Sequence, residues 1–332
     1  MNLRIESIKP DTAVAYGISM KVGGEITNPH SAEGPARTVH QHSRAKDYIS
    51  LTKPEVLFLV LIATSLGYVM ASQSLNLLGL FHALIGTALV AGGTAALNHY
   101  LERASDSLMR RTARRPLPSG RLKPREVLWF GIGLSLTGTA HLALTVNLLT
   151  SLVGLAALFS YLLVYTPLKR RSRLCTLVGA FPGAAPVLMG WTAAGGNLAP
   201  EAWVLYAILF LWQFPHFLAI GWMYREDYAR AGMRMIPDVN GSGGVTFGLM
   251  RATTLALVVV SLLPRVMGMA EWVYLCSALV LGLALIFFVN RAAAERSGAA
   301  AKRLLHATIV YLPLLFLFLA LCRTDPVTGW PK

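Results

Sequence analysis

A row of polar side chains followed directly by arginines stands between residues 98 and 115. Asn98, Glu102 and Asp106 are four residues apart, so on a helix all three project from one face. Amide and carboxylate oxygens suit Mg²⁺, which also accepts phosphate oxygens. Four arginines follow, and guanidinium groups match phosphate oxygens: Arg110, Arg111, Arg114 and Arg115. The pattern predicts a magnesium–diphosphate site, although solvated charges at a helix end and arginines that only set membrane topology would produce a similar sequence.

Two later segments carry the same kinds of residue. The segment 224–237 mixes acids and bases around Asp227, as a solvated helix at a membrane edge also would. The segment YTPLKRR places Lys169 and Arg170 after Tyr165 and a turn proline. These two cations are candidates for binding a diphosphate, and setting membrane orientation is the alternative.

Histidines inside apolar segments are a further group of candidates. His216 lies in WQFPHF and His306 opens the last apolar segment. Neutral imidazole is a common iron ligand, so either side chain could contact a haem. A hydrogen-bonded structural histidine is the alternative for both, and equally for His82, His99 and His141.

The composition indicates that a membrane protein positions these residues. Of 332 residues 55% are hydrophobic and only 14% are charged, whereas about a quarter are charged in soluble domains. The net charge of +14 comes from short basic loops, which favours membrane topology over nucleic-acid binding. Three scattered cysteines predict neither a disulfide framework nor a zinc site.

Apolar segments of membrane-spanning length recur along the chain and predict an all-α polytopic bundle. Nine spans are expected, near 54–72, 80–99, 126–143, 147–165, 174–194, 202–222, 249–267, 272–290 and 304–322. Basic residues concentrate in the connections after the even-numbered spans, with Arg265 as an exception. The positive-inside rule therefore predicts a cytoplasmic N-terminus and an external C-terminus. We expect a disordered cytoplasmic tail over 1–46, a transmembrane domain over 47–323 and a short C-terminal tail over 324–332.

Four segments together resemble one family. They are LNHYLERASDSLMRRTARRPLPSG, YTPLKRR, WQFPHFLAIGWMYREDYARAGMRMIP and HATIVYLPLL. Over about residues 45–322 the chain resembles the UbiA superfamily of intramembrane prenyltransferases, and the R-T-x-x-R-P and D-Y-x-x-A-G-x-x-M patterns resemble its haem-modifying branch. The resemblance implies a helical bundle around a lipid-accessible central cavity whose polar mouth lies at the cytoplasmic face of a bacterial inner membrane.

The resemblance also implies roles for individual residues. Mg²⁺ would be held by Asn98, Glu102, Asp106 and Asp227, and the diphosphate by Arg110, Arg114, Lys169 and Arg170. Glu102 stands where the superfamily usually has aspartate, and Ala231 replaces the common second aspartate of the later motif.

The implied reaction moves the farnesyl group of farnesyl diphosphate onto a vinyl group of haem b, with addition of water, giving haem O for haem–copper oxidases. Other haem A biosynthesis or oxidase assembly proteins are possible partners. Two alternatives remain open at this stage. One is a prenyltransferase acting on another aromatic or tetrapyrrole acceptor. The other is a transporter or assembly protein without enzymatic activity, although a transporter more naturally buries ionisable groups at mid-membrane.

Overall fold

The computed structural model describes residues 43–236 and 241–324, and this part of the chain is helical apart from turns and one isolated bridge between Ala270 and Arg323. The helices are α1 (Arg44–Leu51), α2 (Pro54–Ala71), α3 (Leu77–Asp106), α4 (Pro124–Thr145), α5 (Leu148–Phe159), α6 (Thr166–Leu168), α7 (Cys175–Gly195), α8 (Pro200–Met223), α9 (Arg225–Arg230), α10 (Gly244–Val266), α11 (Trp272–Glu295) and α12 (Gly298–Leu321). A π-helical segment, Ser160–Tyr165, joins α5 to α6.

The all-α membrane fold predicted from the sequence is confirmed. Within the described ranges nine helical spans are long and apolar enough to cross a membrane, each at a predicted position. A disordered tail was predicted over residues 1–46. Residues 1–42 lie outside the described part of the chain, and residues 44–46 belong to α1. Of the predicted C-terminal tail only Thr324 is described.

Local sequence signals explain where several helices begin. Pro54 and Pro124 occupy the first turns of α2 and α4, where a missing backbone N–H costs nothing. The side chains of Asn76, Asn147 and Ser297 accept hydrogen bonds from backbone N–H groups in the first turns of α3, α5 and α12. Such caps satisfy donors that a helix start leaves unpaired.

Helix α3 is the longest element and carries the acid row. Its 30 residues correspond to about 45 Å, whereas the hydrocarbon layer is about 30 Å thick. The helix therefore continues beyond the predicted span end near residue 99. Glu102 and Asp106 lie on its final turns, so the row Asn98, Glu102 and Asp106 does share one helix.

Helices α2 and α7 touch through their backbones. A Cβ atom on Gly190 would lie 1.9 Å from the carbonyl oxygen of Thr64, and one on Gly67 would lie 2.1 Å from that of Val187. Small residues allow this approach in membrane bundles. Together with α3, α5, the π segment, α8 and α12, the two helices line a partly open cavity of about 320 Å³.

Candidate active site

The first part of the site lies on α3. There the helix contacts two other segments: the connection between α1 and α2, and the residues that follow the π segment. Lys53 Nζ donates to Asn98 Oδ1 at 2.9 Å, and Asn98 Nδ2 donates to Thr166 Oγ1 at 3.3 Å. One turn further along α3, Glu102 Oε1 accepts from Lys169 Nζ at 2.6 Å. Burial opposes the charged form of Lys169, but Tyr165 and the Glu102 carboxylate hold its pKa well above the ordinary lysine value.

Asp106 ends the acid row and keeps one oxygen unpaired. Its Oδ2 accepts from the Arg115 guanidinium at 2.8 Å, and its backbone carbonyl accepts from Thr112 Oγ1 at 2.8 Å. The side chain is only 1% exposed, yet Oδ1 is buried and has no hydrogen-bond partner among the described residues. A buried carboxylate oxygen without a donor is unfavourable unless a cation or a water satisfies it.

The second acidic segment packs against the loop that follows α3. Asp227 Oδ2 accepts from the backbone N–H of Arg111 at 3.2 Å, and its Oδ1 pairs with Arg230 at 3.1 Å. Ala231, at the position of the missing second aspartate, is buried in a cluster with Met109 and Met233. The fold thus brings the loop after α3 into contact with the second acidic segment, although Arg111 and Asp227 are 116 residues apart in the sequence.

The arginines divide into inward and outward groups. Arg115 contacts Asp106 and Arg170 donates to Ser105 Oγ at 2.7 Å, whereas Arg110 and Arg114 are exposed. Arg115 was one of the four arginines noted in the sequence, but the resemblance did not assign it to the diphosphate. Its spacing of nine residues from Asp106 follows no helical repeat, because α3 ends between them, so no sequence signal distinguished it from its neighbours.

Lys53 is a second residue that sequence reasoning missed. It has a left-handed backbone, φ 51° and ψ 68°, which is uncommon for a residue with a side chain. Burial, together with the nearby Arg115, lowers its pKa to about 7. The available signal was a lysine directly before Pro54 at the start of the first span. Lys53 also lines the cavity.

Apart from Lys53, the cavity has a largely apolar lining. Tyr161 and Tyr165, both on the π segment, line it, and the Tyr165 ring lies 4.5 Å from Lys169 Nζ. His216 also lines the cavity, whereas His306 is exposed on α12. An apolar cavity with a lysine in its lining suits an amphiphile with an anionic head and a hydrocarbon tail.

The donor set fits a divalent cation only after rearrangement. The three acids of the site, Glu102, Asp106 and Asp227, are each held in an ion pair. Among the described residues, no three acid, histidine or cysteine side chains converge on one point. Asp106 Oδ1 nevertheless remains a buried acceptor without a donor. Hard oxygen ligands are those that Mg²⁺ prefers. The residues therefore fit a magnesium ion that arrives with an anionic partner able to take over the lysine and arginine contacts.

Comparison with known proteins identifies the family. A family model described as the UbiA prenyltransferase family matches residues 60–321. The chain belongs to this family. Like the nine apolar spans, UbiA membership makes it a multi-pass membrane protein.

Relatives and solved structures agree with the UbiA assignment. A protoheme IX farnesyltransferase of Solibacter usitatus is 47% identical over 288 residues, covering 84% of this chain and 99% of that protein. A protoheme IX farnesyltransferase of Myxococcus xanthus is 41% identical over 284 residues, covering 84% of this chain and 95% of that protein. Among solved structures, a UbiA homolog from Aeropyrum pernix K1 superposes with a TM-score of 0.65 at 20% identity, covering 79% of this chain and 95% of that one. A UbiA homolog from Archaeoglobus fulgidus bound to DMAPP and Mg²⁺ superposes with a TM-score of 0.62 at 16% identity, covering 82% of this chain and 99% of that one. The structural likeness shows the shared fold.

Proposed function

We propose that the chain is a protohaem IX farnesyltransferase, which makes haem O from haem b and farnesyl diphosphate for haem–copper oxidases. The observation that carries this assignment is the 47% identity to a protoheme IX farnesyltransferase over 99% of that relative's length. Further relatives at 38–45% identity are also protoheme IX farnesyltransferases.

The geometry supports a prenyl diphosphate as the first substrate. Asn98, Glu102, Asp106 and Asp227 would hold Mg²⁺, which stabilises the negative charge that develops on a leaving diphosphate. Lys169 and Arg170 lie beside Glu102 and Ser105 and would bind the diphosphate directly, as would Arg110 and Arg114 from the exposed loop. The apolar cavity would take the farnesyl tail and exclude water from it.

The transfer itself needs no protein nucleophile. The C1–O bond of farnesyl diphosphate breaks and the diphosphate leaves with the bonding electrons. The terminal carbon of a haem vinyl group then bonds to C1, which moves the positive charge to the carbon next to the porphyrin ring. Water adds there and releases a proton, giving the hydroxyethylfarnesyl group. Fixed cations at the mouth favour the departure of the diphosphate because their charge opposes the charge that develops.

We also propose the membrane placement and partners that this reaction requires. The protein would lie in the bacterial inner membrane with its N-terminus in the cytoplasm and its C-terminus outside. The loops rich in arginine would then meet cytoplasmic farnesyl diphosphate. Membrane lipid borders the bundle, and proteins of haem A biosynthesis or oxidase assembly would receive the product.

Mass spectrometry of extracted haems would test the proposal. Purified protein in detergent is incubated with haem b, farnesyl diphosphate and Mg²⁺, with a parallel sample containing EDTA. We expect a haem heavier by one hydroxyethylfarnesyl modification, and its loss with EDTA. Unchanged haem together with prenylation of a quinone precursor would refute the acceptor assignment. No prenylation of any acceptor would refute the enzymatic assignment.

A further inference from the structure

His216 is held by a helix-to-helix contact that the diphosphate site does not use. Its Nδ1 lies 2.9 Å from Thr308 Oγ1, which joins α8 to α12. The indole of Trp212, one turn earlier on α8, stacks on the imidazole with ring centroids 4.7 Å apart. Trp212 Nε1 in turn donates to the backbone carbonyl of Thr308 at 2.8 Å. The imidazole is therefore fixed in position and orientation.

The contacts of the Thr308 hydroxyl favour one tautomer of the His216 imidazole. A threonine hydroxyl has one hydrogen to donate, and this one is directed to the backbone carbonyl of Leu305 at 2.7 Å. This contact favours the tautomer in which Thr308 Oγ1 accepts from His216 and Nδ1 carries the hydrogen. In the neutral ring the other nitrogen, Nε2, is then left with a free lone pair.

This lone pair is available to a molecule in the cavity. His216 is partly exposed and lines the cavity. With Nδ1 bonded to Thr308, the accessible part of the ring is the part that carries Nε2. Histidines that bind metals commonly donate their other N–H to a neighbouring acceptor, which sets the tautomer and orients the ring. His216 and Thr308 have this arrangement.

We propose that Nε2 of His216 is an axial ligand of the haem substrate's iron, and that Thr308 is the positioning residue that maintains the required tautomer. The inference rests on the proposed function for the identity of the haem. Iron ligation would anchor the macrocycle against α8 and α12. Lys53 lines the same cavity, so the anchored haem would lie beside the site of the prenyl diphosphate. A vinyl group could then meet C1 of the prenyl chain away from bulk water.

Haem spectroscopy tests the ligand directly. Ferric haem b is titrated into the purified full-length protein in detergent, and absorption and electron paramagnetic resonance spectra are recorded. We expect a histidine-ligated spectrum in the unsubstituted protein and its loss in His216→Ala. His141→Ala is the matched control, because His141 is a partly buried histidine paired with His82 on other helices. It should leave the spectrum unchanged. Persistence of the histidine signature in His216→Ala would overturn the proposal.

Two Thr308 variants separate positioning from packing. Thr308→Val keeps the shape but removes the acceptor, and we expect haem binding to weaken about 10-fold. Thr308→Ser retains a hydroxyl and should restore the spectrum. Iron-free protoporphyrin should bind the unsubstituted protein and His216→Ala equally well, since neither complex has an iron–nitrogen bond. Identical haem affinity and spectra in Thr308→Val and the unsubstituted protein would contradict the role of Thr308.

Haem O formation is measured in the same samples to separate this inference from the proposed function. Haem O formation by a protein whose haem spectrum does not depend on His216 would refute the iron ligand and retain the enzyme. A spectrum that depends on His216 without haem O formation would retain the haem site and refute the enzyme.

Discussion

At the scale of single residues, Asp106 has two oxygens in different situations. Arg115 satisfies Oδ2, while buried Oδ1 has no partner among the described residues. Asp106→Asn keeps the size of the side chain but removes the negative charge that a divalent cation needs. We expect turnover to fall on the order of 10²-fold, the scale seen when one transition-state contact is removed. Steady-state assays over a range of Mg²⁺ concentrations would measure it.

Asp47 provides a matched control for Asp106. It is also buried and paired with an arginine, Arg121, at 3.0 Å, but it lies on α1 and is not part of the acid row. Asp47→Asn should lower thermal stability while leaving turnover per folded molecule unchanged. Full activity in Asp106→Asn would exclude the magnesium role of Asp106.

Lys53 leads to a second prediction at this scale. Lys53 lines the cavity, and its hydrogen bond within the described part of the chain is to an amide oxygen, so an anionic substrate can take over that contact. Lys53→Met should raise the KM for farnesyl diphosphate about 10-fold, since a hydrogen bond to a charged group contributes about 1.5–3 kcal/mol. The KM for haem should stay constant, and the exposed Lys123→Met should change neither value. Equal increases for both substrates would contradict a role in binding the diphosphate.

At the scale of helices, the contact between α2 and α7 tolerates no side chain at Gly190. A Cβ there would meet the Thr64 carbonyl at 1.9 Å, so the two helices would have to separate. Gly190→Ala should destabilise the protein by about 1–3 kcal/mol, the usual cost of overpacking. Thermal unfolding in detergent would detect it as a lower Tm.

Gly133 on α4 is the control for this prediction. It is exposed, and a Cβ there would meet nothing within 4 Å. Gly133→Ala should be neutral or stabilising by up to about 1 kcal/mol, because alanine favours the helical backbone. If both variants had the same Tm as the unsubstituted protein, close backbone packing between α2 and α7 would be wrong.

The helices also show what sequence can and cannot predict. All nine spans were predictable because membrane-length hydropathy is a local property. The extension of α3 to Asp106 was implicit in the shared face of its polar residues. The π-helical turn at Ser160–Tyr165 was not predictable, because it depends on the packing of neighbouring helices and not on the apolar pattern.

At the scale of the whole molecule, two polar contacts of the site join segments that are distant in the sequence. Lys53 and Asn98 are 45 residues apart, and Lys169 and Glu102 are 67 apart. The sequence predicted the acid row, Asp227 and Lys169 as members of a site. It did not predict which cation pairs with which acid, because several arginines of equal charge compete and only the tertiary fold selects among them.

The distribution of charge across the molecule predicts its orientation. Two arginines, Arg265 and Arg323, lie at the end opposite the acid row, where the positive-inside rule disfavours them. Both side chains contact neighbouring groups in the fold. Arg265 lies 4.5 Å from the Trp272 ring, and Arg323 donates to the backbone carbonyls of Val69 and Ser72 at the end of α2. Such partners reduce the cost of cations at this end, so they do not contradict a cytoplasmic acid row.

Single cysteines introduced into a background without Cys175, Cys276 and Cys322 would test this orientation. Gly120 and Asn197 are exposed in loops at opposite ends of the bundle. A membrane-impermeant maleimide added to intact spheroplasts should label Asn197→Cys and should reach Gly120→Cys only after the membrane is opened. The basic loops, which resist translocation, are the physical reason. Labelling in the reverse order would place the acid row outside the cell, where cytoplasmic farnesyl diphosphate could not reach Lys53 and Lys169.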